Sequence, residues 1–133
     1  MPQAAPASVV MEVVYQDDAG GVKDSTMWAV SDSSELASQW RRVTMANPSP
    51  PPAPRVNFQR EMLLFVAAGP KKAGDRIHVD SVRVQNDVLS AFVTITEACP
   101  RLPVDVFPLE VVRVARARRA DFRVTLAEGR CPS

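Results

Sequence analysis

A chain of 133 residues, 46% of them apolar, is long enough to bury one hydrophobic core without a metal or a dense disulfide framework, and too apolar to be disordered. Sixteen basic residues set against fifteen acidic ones give no global attraction to nucleic acid or to an anionic membrane. The longest apolar run, Met62 to Ala68, falls far short of the roughly 20 residues that span a bilayer.

Residues 1–8, rich in Ala, Pro and Ser, read as a flexible N-terminal tether, and residues 9–133 as a single domain. Met1-Pro2-Gln3-Ala4-Ala5 has neither the basic nor the apolar region of a secretory signal. The chain is therefore expected to be cytosolic or to be a form from which an export signal has been removed, and the tether suits the second. Val9 to Tyr15, followed by Asp17-Asp18-Ala19-Gly20-Gly21, reads as a strand running into a turn. Thr26 to Val30 is a second short strand. Asp32 is placed to cap a helix, with Glu35 three residues on to complete a capping box. Leu36, Trp40 and Val43 then recur at helical spacing as one packing stripe, and Arg41 and Arg42 suit the negative end of the helix dipole.

Five prolines between Asn47 and Pro54 exclude helix and inner strand, because proline lacks the amide donor. This stretch is expected to be a stiff spacer, with a proline-rich ligand for a signalling domain as the functional alternative. Met62 to Ala67 is apolar at both parities, the pattern of a strand buried on both faces. Gly69 to Asp75 reads as a polar hairpin loop. Arg76 to Val84 carries Ile77 and Val79 on one parity and Val82 and Val84 on the other, which predicts a bulge near Asp80-Ser81. After a tight turn at Gln85-Asn86-Asp87, Val88 to Thr96 alternates strictly. Glu97 to Phe107 is expected to be irregular, Leu109 to Ala115 a strand, the following basic residues a hairpin turn, and Phe122 to Leu126 the last strand.

The chemical inventory is sparse. His78 is the one histidine. With Asp80 two residues away it is half of a conceivable catalytic set, but a solvated strand face is the preferred reading. No nucleophile elbow, zinc-protease motif, P-loop or dinucleotide fingerprint occurs. The carboxylates are scattered singly apart from Asp17-Asp18, which offers no paired acid and base. No catalytic residue, metal or cofactor is assigned. Arg113, Arg116, Arg118, Arg119 and Arg123 form the one local charge excess. They read as a solvated turn that discourages edge-to-edge sheet pairing, not as a phosphate-binding surface.

Cys99 and Cys131 fit no metal or redox spacing. One strand out from Cys99's end of the sheet, one back and one out again would return Cys131 to that end, where the two can reach the roughly 4.4–6.8 Å Cα separation of a disulfide if no strand intervenes; two unrelated thiols are the alternative. A disulfide here implies an oxidising compartment.

The order of signals then resembles a known pattern. A helix carrying Trp40 and a proline-rich gap lead to Pro54-Arg55-Val56-Asn57-Phe58-Gln59-Arg60-Glu61, similar to a P-x-V-D-F-x-x-E opening. A buried strand ends in Ala68-Gly69-Pro70-Lys71-Lys72-Ala73-Gly74, and Thr96-Glu97-Ala98-Cys99-Pro100 and Phe107-Pro108-Leu109-Glu110-Val111-Val112-Arg113-Val114 follow. Over about Leu36 to Arg116 the chain resembles the C-terminal domain of the PrcB family of protease-complex subunits. It departs from that pattern at Asn57, where the family favours Asp. Gly74-Asp75-Arg76 stands in place of a Gly-Gly-aromatic signature, and Arg101 stands where a Gly would follow Pro100. The resemblance implies an exported, non-enzymatic accessory protein of the bacterial envelope, periplasmic or secreted, with a protease complex as partner.

The expected fold is α+β: a mostly antiparallel β-sheet or curved sandwich with one packed helix. Its core is expected to hold Leu36, Trp40, Leu64, Val66, Ile77, Val93, Ile95 and Val112. The expected function is binding or stabilising another protein, with Lys71, Lys72, Asp75, Arg76, Arg116, Arg118 and Arg119 as candidate contacts. No nucleic-acid partner is expected. A small hydrolase using polar residues around His78 and a sugar- or peptide-binding module stand as alternatives.

Overall fold

The computed structural model describes residues 7–8 and 11–131. Ten strands and one helix follow in the order β1 (Ala7–Ser8), β2 (Glu12–Asp17), β3 (Ser25–Val30), α1 (Ser33–Val43), β4 (Glu61–Ala68), β5 (Lys71–Ala73), β6 (Arg76–Gln85), β7 (Val88–Glu97), β8 (Leu102–Val106), β9 (Leu109–Ala115) and β10 (Arg119–Glu128). They form one four-stranded sheet in the order β1-β6-β7-β10, a second in the order β2-β9-β4-β3, and a separate ribbon of β5 and β8. The fold is α+β, a mostly antiparallel sandwich with one helix packed on it. β1 falls inside the segment expected as a tether, pairing Ala7 with Val84 and Ser8 with Arg83; residues 1–6 lie outside the described residues.

The second sheet is the middle layer, which explains why β4 is apolar at both parities. Met62, Leu64 and Val66 meet Ile77, Val79, Val93 and Ile95 of the first sheet. Leu63, Phe65 and Ala67 face the helix residues Leu36, Trp40 and Val43. All eight expected core residues are buried. Helix α1 starts where Asp32 Oδ1 accepts the Glu35 N–H at 2.7 Å, which satisfies one of the donors a helix start leaves open. That bond holds the Asp32 carboxyl below the usual carboxylate range. Trp40 stands edge-on to Tyr15, with ring centroids 5.1 Å apart, and its indole N–H donates to Pro51 O at 3.0 Å. The proline-rich spacer is thereby tied to the helix. Gly21 donates to Val43 O at 3.1 Å, and a Cβ there would stand 2.0 Å from Arg42 O, so only glycine lets the loop cross the end of the helix.

The expected bulge is present, since the β6–β7 register shifts between Val79 and Ser81. Asn86 and Asp87 both take positive φ, at 54° and 59°, as a two-residue hairpin of the type I′ family requires. Three connections differ from the sequence reading. The segment Gly69 to Asp75 is not a hairpin loop: it carries the chain from the second sheet to the first and contains β5. The region expected to be irregular contains β8, paired with β5. The arginine-rich turn is a crossover, not a hairpin. It takes the chain from β9 in one sheet to β10 in the other, where β10 lies parallel to β7 over all ten residues. Parallel neighbours need a long connection, and here β8 and β9 supply it.

Candidate functional site

Among the described residues, β1 pairs with β6 at Arg83 and Val84. Beyond β1, β6 and the end of β2 border a polar cleft of about 890 Å³. Gln16, Asp17, Asp18, Arg76, His78, Asp80, Thr94 and Thr96 line it. Glu110 of β9 reaches the cleft from between the sheets and is fully buried. It shares the inward parity of Val112 and Val114, so the strand that supplies core residues also delivers this carboxylate. Glu110 Oε1 accepts the Val79 N–H at 2.9 Å, and Oε2 accepts from Gln16 Nε2 at 2.6 Å. Oε2 also lies 3.0 Å from His78 Nδ1. Facing a carboxylate, Nδ1 carries the proton, and Nε2 has no partner among the described residues.

A carboxylate that orients an imidazole is part of an acid–base device. Among the described residues, no hydroxyl or thiol hydrogen-bonds the His78 ring. The Thr94 hydroxyl donates to Asp80 and not to His78, and Asp17 is engaged by the Tyr15 hydroxyl at 2.6 Å and the Ala19 N–H at 2.8 Å. Burial and the bond to Asp17 raise the Tyr15 pKa. Among the described residues, no three His, Cys, Asp or Glu side chains gather as metal ligands.

The second feature is the β5–β8 ribbon and its base. Asp75 is 1% exposed. Its Oδ1 accepts the Ala98 N–H at 2.8 Å, and its Oδ2 accepts the Lys72 N–H at 2.9 Å and Arg101 Nη2 at 2.6 Å. Burial alone would raise its pKa, but the Lys72 and Ala98 amides and the Arg101 guanidinium hold it below the usual carboxylate range. Asp75 is therefore a structural clamp and leaves the set of candidate contacts. Next to it the Cys99–Cys131 disulfide joins the ends of β7 and β10, with Cα atoms 4.9 Å apart. The expected bridge is present, although β10 reaches that end as a parallel neighbour of β7 and not through a hairpin.

From this base the ribbon presents Leu102 and Val104, each 56% exposed. The β5–β8 register pairs Lys72 with Asp105 and Ala73 with Leu102, leaving Pro103 and Val104 without counterparts. A bulge of this kind tolerates proline and re-aims side chains. Lys71 lies 3.4 Å from Glu97, and Lys72 pairs with Asp105 across the ribbon. Arg76 lines the cleft.

The arginines expected as contacts are dispersed. Arg116 donates to Phe58 O, Arg118 is exposed at the crossover, and Arg119 lies 3.5 Å from Asp121 on β10. The sequence reading missed Glu110, whose signal was an acid on the parity of Val112 and Val114. It also missed the exposed apolar pair on β8, which an irregular segment would have hidden. Compared with known proteins, the chain matches no family model, no curated protein and no solved structure.

Proposed function

We propose that this domain is a non-enzymatic accessory subunit that binds or stabilises another protein, and that the β5–β8 ribbon is its recognition element. The observation that carries this reading is the pair of exposed apolar side chains, Leu102 and Val104, on a strand whose base is fixed by a buried carboxylate and a disulfide. Single exposed apolar residues are ordinary on protein surfaces. Two of them on a five-residue strand that is anchored at its root form a preorganised contact, which reduces the ordering cost of association. The disulfide is compatible with an oxidising compartment, and no helix among the described residues is long and apolar enough to cross a membrane. Together with the PrcB-like pattern, these features support a periplasmic or secreted location and a protease complex as the partner class.

The oriented His78 beside a cleft favours a second reading, a small hydrolase. One experiment separates the two. Wild type, the Leu102→Asp/Val104→Asp double variant and His78→Ala are immobilised and incubated with envelope extract of the native host, and retained proteins are identified by mass spectrometry. The expected result is a defined partner held by wild type and His78→Ala and lost by the double variant. Equal retention by all three, or a hydrolytic activity that vanishes with His78, overturns the proposal.

A further inference from the structure

β10 is the last strand of the first sheet. It pairs with β7 throughout its length and has no neighbour on its other side among the described residues. Natural edge strands are blunted by proline, lysine, bulges or a covering element. β10, Arg-Ala-Asp-Phe-Arg-Val-Thr-Leu-Ala-Glu, has neither proline nor lysine, and its register runs without a bulge. Val124 and Leu126, on the parity of Phe122, are 47% and 72% exposed. Its four charged residues, Arg119, Asp121, Arg123 and Glu128, discourage indiscriminate pairing, so the edge is a template only for a strand whose charges complement its own.

The charges on β10 identify the strand that fits. When two copies pair antiparallel about a twofold axis normal to the sheet, the axis passes midway between one residue and its own counterpart, and the apolar faces stay on one side. Registers about Asp121 or Arg123 set like charges directly against each other, which is destabilising. Registers about Val124 or Thr125 leave Asp121 and Arg123 without an opposite charge, and the register about Ala120, which opposes Arg119 and Asp121, pairs only three residues of the strand. The register about Phe122 places Asp121 of each copy against Arg123 of the other, so two ion pairs form reciprocally. It also sets Phe122 on its counterpart and Ala120 against Val124. Both charged groups are available for this. Arg123 makes no ion pair within the chain among the described residues, and Asp121 has only the 3.5 Å contact with Arg119, whose side chain is 63% exposed.

We infer that β10 is a homodimer interface, pairing with β10 of a second copy about an axis at Phe122 to give one continuous eight-stranded sheet. The arginines and Asp121 then select a single register while discouraging others. The β5–β8 ribbon is a separate surface, so this interface and the proposed recognition element stand or fall independently.

The test is sedimentation equilibrium of the oxidised full chain across a concentration series, with wild type, Asp121→Arg, Arg123→Asp and the Asp121→Arg/Arg123→Asp double variant. Wild type is expected to be a dimer that dissociates on dilution. Each single variant should weaken it on the order of tenfold, because an attraction becomes a repulsion at two symmetric places. The double variant should recover most of the loss, because the pairs re-form with exchanged signs. Circular dichroism should stay unchanged, and the denaturation midpoint should differ between variants only at concentrations where wild type is dimeric. A wild-type monomer at every concentration overturns the inference. So does a dimer indifferent to both single changes, or a double variant as weak as the singles.

Discussion

Replacing Asp75 by alanine tests whether a buried carboxylate holds the ribbon to the sandwich. The change removes the acceptor for two backbone donors, the Lys72 and Ala98 N–H groups, and for Arg101. A buried donor left unsatisfied costs about 1–3 kcal/mol. The Arg101 side chain is 40% exposed, so it recovers water and its share is small. The expected loss is about 2–6 kcal/mol, or roughly 7–21 °C in Tm for a chain of this size. The pH dependence carries a sign. The folded pKa of Asp75 is lowered, so its contribution is fully present above the unfolded value of about 3.9 and is lost as pH falls from there through the folded value. Guanidinium unfolding of wild type and Asp75→Ala should show a gap at pH 7 that narrows below about pH 4. Amide exchange at Lys72 and Ala98 should accelerate in the variant. A midpoint unchanged at pH 7, or a gap as wide at pH 3 as at pH 7, refutes the clamp.

Three further outcomes are expected. Trp40→Ala should cost about 3–5 kcal/mol, as large core truncations do, and an unchanged denaturation midpoint would show that the Trp40 stripe is not part of the core. Cys99→Ser with Cys131→Ser should lower stability by about 3.5 kcal/mol, from the chain entropy released by a closed loop of this length, read as the difference between oxidised wild type and the variant. His78→Ala should leave the fold intact and give the same rates as wild type on a panel of ester and peptide substrates; a robust activity lost in the folded variant would sink the binding reading.

Elements defined by side-chain period were legible in the sequence. The two-faced apolar run of β4 declared an inner strand buried on both faces, the parity switch in β6 declared its bulge, and Asp32 with the Leu36–Trp40–Val43 stripe declared the helix. What local period cannot carry is which strand pairs with which. The alternation around Phe122 is the same whether β10 returns beside β9 or crosses to lie parallel to β7, so the hairpin reading of the arginine-rich turn had nothing to oppose it. Asp75 illustrates a different limit. A carboxylate after Gly74 in a polar segment looks like any turn residue, and its burial depends on Arg101 and the Ala98 amide, both more than twenty residues away. The disulfide was legible although the route was not, because β10 ends at the same end of the sheet in either topology.

Glu110 explains why the two edges of the first sheet differ. Among the described residues, β1 pairs with β6 at Arg83 and Val84. The Val79 N–H turns away from β7 and meets Glu110 Oε1 at 2.9 Å, where an added strand would otherwise offer a carbonyl. A side chain from the opposite sheet thus meets this outward β6 donor, while β10 has no such cover among the described residues. Glu110→Ala should therefore act locally. It leaves the Val79 N–H and the Gln16 amide without their acceptor, a cost of about 1–3 kcal/mol for each group that water does not reach. Hydrogen exchange read by NMR distinguishes this role from a general loosening. The Val79 amide should exchange much faster in the variant, while amides of the central strands β4 and β7 keep protection scaled only to the global stability. If Val79 exchanges equally fast in wild type and variant, Glu110 does not close that edge, and the contrast between a sealed β6 and an open β10 loses its physical basis.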